Sequence, residues 1–106
     1  MDKSTVIEIV AGFHKALEAR GIKLFKIILF GSYAEGCDHE GSDIDLLVIS
    51  DDFRGRDYWE RIDILSDAIY EIFAPIEATA LTPDEWERGD SFVSDFAEHG
   101  EVLYAA

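Results

Sequence analysis

A chain of 106 residues with 48% hydrophobic and 12% aromatic residues and two prolines has the material for one packed core and lacks the composition of a disordered chain. Twenty-three acidic residues against nine Lys and Arg give a formal net charge of −14, a field that argues against nucleic acid or an anionic lipid surface as a bulk partner. No apolar run approaches the roughly 20 residues of a membrane span, no signal peptide is visible, and Cys37 alone makes no internal disulfide. The expectation is therefore a single cytoplasmic domain over residues 1–106.

Val6, Val10, Phe13 and Leu17 recur at helical spacing, which predicts a helix over 4–20 with Ser4 or Thr5 as N-cap and Gly21 as stop. Leu24–Phe30 is a short β-rich apolar run ending at Gly31, hence a buried strand. Residues 31–42 are small, polar and glycine-rich and read as a loop with room for one helical turn after Ser32. Ile44–Ile49 is a second buried strand, and Tyr58, Ile62, Leu65, Ile69 and Ile72 keep a helical period until Pro75. Ile76–Leu81 reads as a third strand with Glu77 near its start. Thr82-Pro83-Asp84-Glu85 then has the residues of a helix N-terminus. A last helix around 91–99 and a short edge strand at 102–104 complete the reading. The fold class is α/β (α+β): a small mixed sheet with helices packed on it.

The chemistry concentrates in Gly31-Ser32, ten intervening residues, and Asp43-Ile44-Asp45. Gly31, directly after a strand, permits close approach of a ligand to the main chain, and Ser32 adds a hydroxyl and free N–H groups suited to phosphate. Asp43 and Asp45 stand two apart, so both side chains leave one face of the strand. No Lys or Arg lies between 31 and 53 to neutralise them. A hard divalent cation bridging to substrate phosphates does so, and Glu77 on the neighbouring strand offers a third carboxylate. Long loops between core strands tend to be functional, which places the chemistry at this loop.

Gly31-Ser32-Tyr33-Ala34-Glu35-Gly36 together with Ser42-Asp43-Ile44-Asp45-Leu46-Leu47-Val48 resembles the polymerase-beta-like nucleotidyltransferases. The resemblance is greatest to their smallest members, the minimal nucleotidyltransferases (MNT) often paired with a helical HEPN protein as toxin–antitoxin modules. It extends to Glu98–Tyr104 and so covers nearly the whole chain. It implies that Gly31 and Ser32 hold the triphosphate of ATP or another NTP. It also implies that Asp43, Asp45 and Glu77 are the catalytic, metal-binding carboxylates for two Mg²⁺ ions. A nucleoside monophosphate would then pass to a hydroxyl on a partner protein, with the chain acting as an antitoxin-like component. Two departures stand out: Glu35 occupies a position where relatives commonly carry Arg, and Glu77 one where they usually carry Asp. The alternative reading is a weakly active or inactive module that neutralises a HEPN-type toxin by contact. Homo- or hetero-oligomers are compatible with either.

Outside this constellation, His14 reads as a helix-surface residue and Cys37 as a bystander, with His39 a loop residue near the site. Trp59 and Trp86 read as core or core-edge residues, or as part of a partner interface. Arg54 and Arg56, following the second strand, read either as a basic rim around the nucleotide or as a solvated loop.

Overall fold

In a computed structural model describing residues 2–36, 41–89 and 97–106, the elements run α1 (Lys3–Ala19), β1 (Lys26–Phe30), α2 (Ser32–Glu35), β2 (Ile44–Ile49), a 3₁₀ turn (Asp51–Phe53), α3 (Tyr58–Ile72), β3 (Ile76–Leu81), α4 (Pro83–Arg88) and β4 (Glu101–Ala105). Cys37, His39, the side chain of Glu35 and most of the last helix expected at 91–99 fall outside that description. The four strands form one mixed sheet in the order β3–β2–β1–β4. β1 pairs antiparallel with both β2 and β4, and α3 returns the chain so that β3 runs parallel to β2. Among the described residues no helix is long and apolar enough to cross a membrane.

Alternation along the strands assigns the two faces. Ile27 and Leu29 of β1, with Ile44, Leu46 and Val48 of β2, face α1 and α3 and pack with Val6, Val10, Phe13, Leu17, Leu65 and Ala68. A smaller cluster of Ile28, Leu47, Ile49, Leu81 and Ala97 lines the other face, with Trp86 packed against it. Because Asp45 lies opposite Phe30 on one side and Glu77 on the other, both acids belong to this second face. A buried sheet thus delivers carboxylates to the side away from α1 and α3.

Local sequence fixes the ends of the elements. Asp2, rather than Ser4 or Thr5, caps α1, because its Oδ1 reaches the Thr5 N–H at 2.8 Å. Thr82 and Glu85 form a reciprocal capping box on α4, with Pro83 at its first position. At Gly100 a side chain would collide with the Leu29 carbonyl oxygen and Ile28. Only a glycine lets β4 come in against β1, where the register also shifts between Ile27 and Ile28.

Candidate functional site

The tight turn after β1 and the start of β2 meet at one point. Gly31 adopts φ 74°, and a Cβ built there would overlap the Asp45 carboxylate. Backbone and acid are in direct contact, and no L side chain fits between them. Ser32 opens α2 immediately beyond that contact, half-buried, with Tyr33 buried behind it in the main core. Asp43 stands exposed just before β2, on the same side as Asp45 by strand alternation. Glu77, opposite Asp45 across the parallel pair, hydrogen-bonds to it. Gly31, Ser32, Asp43, Asp45 and Glu77 therefore gather at one end of the β1–β2–β3 sheet, although they span 47 positions of sequence.

The electrostatics follow from that crowding. Burial, the charge of Glu77, the hydrogen bond that protonated Asp45 donates to Glu77 and the charge of Asp43 together push the Asp45 carboxyl up to about 6. Among the described residues no Lys or Arg pairs with any of the three acids. Among the described residues no three acid, His or Cys side chains are already drawn into a ligand cage. The donor set is nevertheless all hard anionic oxygen with unrelieved charge, which fits Mg²⁺ in chemistry.

The amino-acid sequence matches the nucleotidyltransferase domain family over residues 10–102. The chain belongs to that family. A Methanocaldococcus jannaschii protein named as a protein adenylyltransferase, MJ0604, is 38% identical over 84 residues, covering 77% of this chain and 80% of that protein. The crystal structure of a toxin–antitoxin with AMP-PNP aligns at a TM-score of 0.64 and 24% identity, over 94% of this chain and 73% of that one. A complex of tri-AMPylated Shewanella oneidensis HEPN toxin with MNT antitoxin aligns at 0.54 and 21%, over 92% and 73%. At those identities the two structures share the nucleotidyltransferase fold.

Three sequence expectations need correction. Of the two readings of Arg54 and Arg56, the basic rim fails and the solvated loop holds: they do not rim the candidate site. They lie past the far end of β2, where Arg54 grips Asp51 (2.6 Å) and Asp84 (2.8 Å) and Arg56 donates to the Asp52 carbonyl. Trp59 is not core: it is 70% exposed and stacks edge-on against Tyr58. Trp86, by contrast, packs against the second apolar cluster. His14 is not a solvated surface residue. Its ring packs edge-on against Tyr104 of β4 with centroids 4.3 Å apart, and its Nε2 is buried with no hydrogen-bond partner among the described residues, Glu18 Oε1 lying 3.7 Å away.

One feature escaped the sequence reading. A cleft of about 440 Å³ runs between α3 and β3 and opens beside Asp45 and Glu77. Tyr58, Ile62, Ser66 and Ile69 line it from the helix. Their spacing reads as an ordinary core stripe, and Ser66 is the polar interruption that marks the stripe as open to solvent.

Proposed function

We propose that this nucleotidyltransferase is Mg²⁺-dependent and moves AMP from ATP to a hydroxyl on a basic partner protein of the HEPN type, acting as an antitoxin-like component. The observation that carries the reading is the contact of the Gly31 backbone with Asp45, flanked by Asp43 and the hydrogen-bonded Glu77. The names of the relatives support the nucleotide and the protein acceptor, and the −14 charge suits a cationic partner.

In this reading Gly31 lets the phosphates approach the main chain, and Ser32 orients them with its hydroxyl and N–H. Asp43, Asp45 and Glu77 hold the metal, which when bound neutralises the charge developing on the attacking and leaving oxygens. Glu77, on the β3 side, accepts the proton of the acceptor hydroxyl. The acceptor oxygen bonds to the α-phosphorus as the bond to the β-phosphate oxygen breaks, and pyrophosphate leaves.

The test is incubation with ATP, Mg²⁺ and the product of the adjacent open reading frame, read by intact mass spectrometry. An AMP adduct on the partner that disappears with Asp43→Asn is the expected result, the rate falling on the order of a thousandfold. Glu35, where relatives commonly carry Arg, favours a second reading in which the domain neutralises a toxin by contact alone. A partner bound but unmodified selects that reading.

A further inference from the structure

We infer that the cleft along the free edge of β3 is the acceptor subsite, and that it receives an extended, basic, hydroxyl-bearing peptide segment as an added strand. The inference rests on the nucleotidyl-transfer reading above and deepens it by naming the form and charge of the acceptor.

β3 is the outermost strand of the sheet, and among the described residues no strand pairs with its outer side. The Ile44 N–H donates to the Pro75 carbonyl and the Ser50 N–H to the Leu81 carbonyl. In this parallel register the main-chain groups of residues 77 and 79 turn toward β2, and those of 76, 78 and 80 turn outward. The Ala80 carbonyl bears this out by accepting from Arg61 Nη1, on α3, at 3.3 Å. The Ala78 N–H and C=O consequently point into the space between β3 and α3, ready to pair with a further strand. β3 runs six residues, and because the Ile76 N–H already meets the Ala74 carbonyl and Arg61 the Ala80 carbonyl, such a segment centres on Ala78.

Position and charge favour an acceptor over a nucleotide in this cleft. In-line displacement keeps the incoming hydroxyl and the departing pyrophosphate on opposite sides of the α-phosphorus. Gly31 and Ser32 approach Asp45 from the β1 side, so the acceptor comes from the β3 side, where the cleft meets Glu77. Among the described residues the only charged ones lining the cleft are Asp45 and Glu77. Arg61, on the helix above, is already held by Glu85 at 2.7 Å, and the chain as a whole carries a formal −14. Lys and Arg beside the acceptor hydroxyl meet complementary charge in that field, whereas acidic flanks are repelled.

The probe is an array of short peptides, each with one Ser, Thr or Tyr in basic or acidic surroundings, incubated with the protein, Mg²⁺ and radiolabelled ATP. Basic peptides are expected to take label over acidic ones, and a bound basic peptide to protect the Ala78 amide from hydrogen exchange. Ala78→Pro removes the outward N–H at an edge position where proline is tolerated, and Ser66→Trp fills the cleft. Each is expected to reduce labelling about tenfold or more while the melting shift given by Mg²⁺ and ATP persists. Labelling unchanged in both variants, basic and acidic peptides labelled alike, or no peptide labelled by a parent that shows the melting shift would each overturn the inference. A parent with no melting shift overturns the transfer reading and this inference with it.

Discussion

The two ends of the β2–β3 pair treat the same residue type in opposite ways. At the far end, Asp51 and Asp84 are held by Arg54, and Glu85 is held by Arg61 at 2.7 Å and by the Thr82 N–H at 2.8 Å. Burial pushes the Glu85 carboxyl up, but Arg61 and the Thr82 N–H outweigh it and hold the group below its usual range. At the near end no Lys or Arg among the described residues meets Asp43, Asp45 or Glu77, and Asp45 rises to about 6. The first arrangement stabilises the fold, and the second opposes it unless a cation intervenes. Such uncompensated acids are the mark of a site rather than of a scaffold.

That contrast can be broken at its tightest point. Gly31→Ala forces a Cβ onto the Asp45 carboxylate at a left-handed backbone position. It is expected to cost about 1–3 kcal/mol in denaturant unfolding and to remove the melting shift given by Mg²⁺ and ATP. At the compensated end, Arg61→Met leaves Glu85 half-buried without its partner and the Ala80 carbonyl without its donor. A loss of about 1–2 kcal/mol is expected, with nucleotide binding retained by the folded fraction.

The smallest effect sharpens the contrast through pH. Without divalent cations, folded Asp45 keeps its proton to about pH 6, against 3.8 for an ordinary aspartate. The folded state then binds more protons than the unfolded state between those values, so the contribution of Asp45 to stability falls as pH rises through the window. Asp45→Asn is expected to flatten that fall and to raise the apo melting temperature at neutral pH. Added Mg²⁺ is expected to stabilise the parent and not the variant. A parent whose stability rises across the window would contradict the picture of unrelieved acids.

The sheet and its acids were legible because they depend on local pattern. Buried runs bounded by Gly31, Pro75 and Pro83 marked the strands and helix starts, and acids at positions 43 and 45 share a side whatever the surroundings. What was misread depends on contacts distant in sequence. His14 meets Tyr104 across the width of the chain. Arg54 follows the acid-bearing strand closely in sequence, yet the four strand residues beyond Asp45 span about 13 Å and carry it to the opposite end of β2. The cleft escaped because Tyr58, Ile62 and Ile69 have the period of a core stripe, and only the fold shows that β3 ends the sheet beside them.

An uncovered strand edge tempts its own kind as well as a target. Two copies of this chain joined edge to edge would zip into a continuous ribbon, the route by which many sheet proteins aggregate. Here the surplus of negative charge holds like molecules apart while leaving the same rim open to cations. Salt or mild acid, which weakens that repulsion, is therefore the condition under which edge-to-edge pairing is expected.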